Sequence, residues 1–143
     1  MKEFAKTFTT CLCLGKEGEN MKLNYITIMV RSMEKSLKFY QELVGLETVK
    51  HMTLERGEIV FLANGKEETK LELIEFKDRE KVETKGMVMS YQAKESLEKL
   101  REKAIMLGGA PSDIVKQGPK PRYFTVKDPD GIVVEFTESN TLQ

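Results

Sequence analysis

One histidine, two cysteines, four prolines and no tryptophan occur among 143 residues. Each scarcity removes a class of function. A lone His51 cannot build a site that needs two imidazoles, such as the two-histidine, one-carboxylate iron triad. Cys11 and Cys13, one residue apart, exclude a disulfide framework and leave a zinc clip two ligands short. They read as reduced thiols of a cytoplasmic protein. Neither sign of charge dominates: 23 Lys and Arg balance 23 Asp and Glu. No basic surplus therefore draws the chain to nucleic acid or anionic lipid. No apolar run approaches the roughly 18 residues that span a membrane.

What is present is periodic. The first twenty residues, MKEFAKTFTTCLCLGKEGEN, hold only a short apolar run and no small-x-small cleavage site. They are expected as an N-terminal extension (1–20), a disordered leader ahead of a domain over 21–139. LNYITIMV (23–30) is β-branched and apolar, a strand pattern. Met33, Leu37, Tyr40 and Val44 then share one helical face, with Ser32 as N-cap and Gly45 as stop. Strands are predicted at 46–54, 58–63 and 70–76, punctuated by Arg56-Gly57 and Asn64-Gly65. A polar linker, 77–85, leads to a second strand–helix unit, GMVMSYQA and the face Leu97, Leu100, Ala104, Leu107. Gly108-Gly109 stops that helix, and strands are predicted at 111–117, 122–127 and 131–137.

The chain thus contains βαβββ twice, over 21–76 and 86–138. Gly45 and Gly108 lie 63 residues apart, and so do Glu72 and Glu135, Leu37 and Leu100, Val44 and Leu107. Recurrence at one offset marks an internal repeat. In KLELIEF and GIVVEFTE each glutamate sits among apolar residues with period two. A pseudo-twofold relation between modules would line one central cavity with both glutamates. Two carboxylates brought together need a metal, a shared proton or a cationic ligand.

LNYITIMVRSMEKSLKFYQELVGLE, LELIEF and the ending YFTVKDPDGIVVEFTE together resemble the vicinal oxygen chelate superfamily, over about residues 21–138. This superfamily includes glyoxalase I, bleomycin- and fosfomycin-resistance proteins and extradiol dioxygenases. The resemblance implies an α+β fold of two tandem βαβββ modules forming a cupped eight-stranded mixed sheet, and a homodimer. It also implies a metal site with one ligand on the first and one on the last strand of each module. The last-strand positions fall on Glu72 and Glu135. The first-strand positions, commonly histidine, fall on Tyr25 and Val88, and neither supplies imidazole. Two carboxylates alone would hold a hard divalent ion only weakly, so no cofactor is expected.

The cavity predicted from this pattern is lined by Tyr25, Thr27 and Ser90, with Arg122 and Tyr123 at its mouth and His51 as a candidate acid–base group. Tyr25 is expected to hydrogen-bond one of the glutamates. A few polar handles among apolar walls suit a small organic molecule. The reading is a small-molecule-binding protein without the usual His/Glu metal site. The competing readings are a glyoxalase-type lyase or isomerase acting through Glu72 and Glu135, and a dimer with a vestigial cavity.

Overall fold

Residues 20–139 are described by the computed structural model of the chain. All but the last residue of the expected extension 1–20, with Cys11 and Cys13, lies outside them. The first module opens with β1 (Tyr25–Met29), in which Ile28 turns inward while Tyr25 and Thr27 stay open. A helix follows, α1 (Met33–Leu37), capped as expected by Ser32, whose Oγ accepts from the Lys35 amide at 3.3 Å. Over Lys38–Val44 it widens into a π-helix, and the amides of Gly45 and Leu46 both reach back to the Tyr40 carbonyl. The widened turn buries Tyr40 and Leu43 on the core side, and Gly45, at φ 89°, ends it.

Three strands complete this module: β2 (Glu47–Leu54), β3 (Gly57–Ala63) and β4 (Lys70–Phe76). Their sheet runs β1-β4-β3-β2, with β1 parallel to β4 and the other pairs antiparallel. Gly57 is required at the β2–β3 turn: a Cβ there would stand 1.9 Å from the Glu75 carbonyl oxygen.

The second module repeats the order with β5 (Val88–Gln92), α2 (Leu97–Met106), β6 (Tyr123–Lys127) and β7 (Val133–Thr137). Its sheet is β5-β7-β6, with β5 parallel to β7. The β1–β4 ladder recurs in it 63 residues later: Tyr25↔Lys70 becomes Val88↔Val133, and Thr27↔Glu72 becomes Ser90↔Glu135. The repeat seen in the sequence is therefore a repeat of backbone register.

One expected strand is missing. Residues 111–117 form only an isolated bridge, Val115↔Tyr123. Pro111 removes a donor at the start of this stretch, and Gly118, at positive φ, with Pro119 and Pro121 breaks the chain just after it. The result is one sheet of four strands and one of three, in place of the eight-stranded sheet that the resemblance implied.

Each sheet turns one face to a shared core. Ile28, Val60 and Leu73 from the first module join Phe124, Val134 and Phe136 from the second, with Tyr40 and Leu97 from the helices. No helix among the described residues is long and apolar enough to cross a membrane.

Candidate functional site

Both glutamates occupy the middle strand of their sheets, on the face turned away from the core. Register fixes this placement. Thr27, Glu72 and Phe61 are paired across β1, β4 and β3, one step out of phase with the buried Ile28, Leu73 and Val60. In the second sheet Ser90, Glu135 and Thr125 are paired across β5, β7 and β6, out of phase with Met89, Val134 and Val126.

Each carboxylate is held by a hydroxyl from the first strand of its own module. Thr27 Oγ1 donates to Glu72 Oε1. Ser90 Oγ donates to Glu135 Oε1 at 2.6 Å. Donor and acceptor are 45 residues apart in both pairs. A hydroxyl bond orients the carboxylate and leaves its second oxygen for a ligand. Glu72 is 8% exposed and lies beside Phe61. Glu135 is half-buried. Tyr25, 46% exposed, meets Phe61 edge to face at 5.4 Å.

Comparison with known families places these paired modules. The glyoxalase/bleomycin resistance protein/dioxygenase superfamily matches residues 22–136. The chain belongs to that superfamily.

Solved structures agree on the fold. A Streptomyces antibiotic-binding protein superposes with a TM-score of 0.65 at 20% identity, covering 85% of this chain and 98% of its own. A trypanothione-dependent glyoxalase I from Leishmania major gives 0.70 at 22% identity, over 86% and 90%. A fosfomycin resistance protein from Listeria monocytogenes gives 0.67 at 15% identity, over 86% and 97%. No curated protein sequence matches the chain.

Within the superfamily frame, the donor set departs from a histidine-rich metal centre. The first-strand positions hold Tyr25 and Val88, both exposed, and the residues paired with the glutamates are hydroxyl-bearing Thr27 and Ser90. Among the described residues no three His, Cys, Asp or Glu side chains gather as a metal ion requires. These side chains do not fit an imidazole-ligated ion.

The remaining residues singled out in the sequence divide by face. His51 pairs with Val60, so it stands on the opposite face of the sheet from Glu72, and its Nε2 lies 3.4 Å from Glu58. Arg122 is tied down by Glu138 at 2.9 Å and by Glu98 of α2 at 2.9 Å. Those hydrogen bonds hold both carboxyls below their usual range. Tyr123 pairs with Thr137 on the Glu135 face, and its hydroxyl donates to Gln117 at 3.0 Å. Tyr25 was expected to bond a glutamate. Thr27 and Ser90 fill that role. Their shared 63-residue offset, each 45 before its glutamate, was the available signal.

The DPDG turn does different work. Asp128 is buried and accepts from the Tyr40 hydroxyl at 2.6 Å and from the amides of Asp130 and Ile132 at 2.8 and 2.9 Å. Asp130 accepts from the Arg31 amide and guanidinium, both at 3.0 Å. The turn thus locks the second module onto the first helix. Burial pushes the Asp128 carboxyl up, against the pull of these donors.

Concavities of 270–380 Å³ open among the described residues at the helices, between the modules and at β6, lined by side chains other than the two glutamates. In the single chain both glutamates sit on the sheet face opposite the core, Glu72 buried and Glu135 half-buried.

Proposed function

We propose that this protein binds a small organic molecule carrying a cationic or hydrogen-bond-donating group, recognised by Glu72 and Glu135 without a histidine-type metal centre. The observation that carries the reading is the matched pair of oriented carboxylates, Thr27–Glu72 and Ser90–Glu135. Each keeps its second oxygen for a ligand: Glu135 half-buried, Glu72 more deeply set beside Phe61, whose ring meets that of Tyr25. An organic cation gains from both the carboxylates and the ring faces. The solved relative described as an antibiotic-binding protein supports a ligand of this size class.

A homodimer encloses the site: the Glu72 face of one copy meets the Glu135 face of another. The exposed Tyr25 and Val88, at 46% and 54%, are then covered. A metal-dependent lyase acting through the same glutamates is the second reading, favoured by their retention in both modules. It lacks the neutral nitrogen ligands that such an ion prefers.

The test pairs metal content with ligand-induced stabilisation. Full-length protein purified without chelator is analysed for metals, then melted with bleomycin and simpler organic cations. The expected result is no stoichiometric metal and a rise in Tm of several degrees at ~100 Kd of ligand, where binding adds about 2.7 kcal/mol. The rise should vanish in Glu72→Gln/Glu135→Gln. Stoichiometric metal lost in that variant would overturn the reading in favour of the lyase.

A further inference from the structure

Both helices lie on the core side of the sheets, remote from the glutamate faces, and between them a groove of about 370 Å³ opens. Its walls come from both modules. α1 supplies Lys35, the π-helical turn after it Lys38 and Phe39, the C-cap of α2 Leu107, and the DPDG turn with the residue before it Pro129 and Lys127. All three lysines are exposed, and none of their ammonium groups makes an ion pair or hydrogen bond with a described residue. In a chain of zero net charge, three unbalanced cations around one depression are a local excess. The one carboxylate in the wall, Asp128, is already engaged by Tyr40 and two amides. Between the lysines the surface is apolar: the Phe39 ring, backed by Tyr40 at 4.9 Å, with Leu107 and Pro129. The volume lies within the range of small-ligand sites.

We propose that this groove binds a small amphipathic anion, an organic phosphate or carboxylate, with its charge among Lys35, Lys38 and Lys127 and its apolar body on Phe39 and Leu107. Lysine ammonium groups recognise an anion as point charges and impose little geometry. The apolar wall separates such a ligand from a bare ion. Since the walls belong to both modules, the bound anion bridges them next to the Tyr40–Asp128 bond.

Phenyl phosphate, phenylacetate and inorganic phosphate are titrated calorimetrically into the full chain at low salt. The expected result is saturable one-to-one binding of phenyl phosphate or phenylacetate, and the stronger of the two assigns the headgroup. Inorganic phosphate should bind at least tenfold more weakly. Lys35→Gln/Lys38→Gln/Lys127→Gln changes only exposed side chains, with folding checked by circular dichroism, and should weaken binding at least tenfold. Raising salt should weaken it severalfold, because partly exposed charges are screened. Glu72→Gln/Glu135→Gln should leave it unchanged, which separates this site from the glutamate faces. Failure of both organic anions to saturate, equal affinity for inorganic phosphate, indifference to the lysine substitutions, or loss in the glutamate variant would each overturn the proposal.

Discussion

The two modules carry the same carboxylate device in unequal settings. In the first, four strands surround Glu72, which Phe61 and the neighbouring strands leave 8% exposed. In the second, three strands surround Glu135, which keeps only small cross-strand neighbours, Ser90 and Thr125, and stays half-buried. The hydroxyl–carboxylate pair is common to both, and the covering is not. What the repeat preserves is the orientation of charge on the middle strand. What it lets drift is the outer strand, where prolines cost little because no neighbour needs the lost donors. The modules are also joined asymmetrically, since the DPDG turn of the second grips the helix of the first through Tyr40 and Arg31.

Breaking that joint should give the largest effect. Asp128→Ala strands the Tyr40 hydroxyl and two amides in the interior, a loss of about 3 kcal/mol. Tyr40→Phe removes one bond at its donor end and should cost about 1 kcal/mol. Urea midpoints measure both. The pH dependence carries the same signature. Burial, with the Asp128 carboxylate beside it, raises the Tyr40 phenol above its ordinary value, and burial pushes Tyr91 up to about 12. The unfolded chain ionises near pH 10 while the fold retains these protons. The stability these two phenols contribute is therefore complete below pH 10 and falls as pH rises from about 10 through 12. The fall should be shallower in Tyr40→Phe. An unchanged alkaline slope in that variant would assign the loss to other groups.

The sequence carried most of this architecture and only part of the site. Seven of eight strands were readable because alternation and turn residues agree there, as in KLELIEF, where predicted and observed limits coincide at 70–76. The strand expected at 111–117 is reduced to one bridge at Val115, because periodicity marks Ile114 and Val115 as apolar but does not show whether a neighbouring strand takes up their amides. Glu72 and Glu135 were found through their offset. Their hydroxyl partners needed cross-strand register, which periodicity within one strand does not contain. His51 stands out in the sequence as the only imidazole, and its pairing with Val60 sets it on the sheet face opposite Glu72. DPDG was legible as a turn, and its grip on Tyr40 was not, because 88 residues separate the partners.

The unequal burial of the glutamates can be sharpened by substitution. Glu72→Leu replaces a carboxylate held in the interior with an apolar side chain, and Thr27, itself exposed, turns to water. A gain of about 1 kcal/mol is expected, as for sites kept polar for function. Glu135→Leu, in the more open setting, should change stability by less than about 0.5 kcal/mol. Equal effects would mean that a second copy of the chain buries both faces alike. A loss in Glu72→Leu would make that carboxylate a structural element of its sheet.

The smallest effect concerns the outer strands, and hydrogen exchange resolves it residue by residue. β2 pairs with β3 along Glu47–Leu54, with one irregularity between Thr48 and Lys50, so its bonded amides should exchange slowly. In the corresponding stretch of the second module the Val115 amide bonds to the Tyr123 carbonyl at 2.9 Å and the Ser112 amide to that of Thr125 at 2.8 Å. Asp113 and Lys116 have no such backbone partner among the described residues. Val115 and Ser112 should therefore be protected while Asp113 and Lys116 exchange fast. Uniform protection across 111–117 would restore a fourth strand to the second sheet. It would leave the covering of Glu72 by Phe61 as the one structural difference between the two half-sites, and make that aromatic ring, not strand number, the source of their unequal burial.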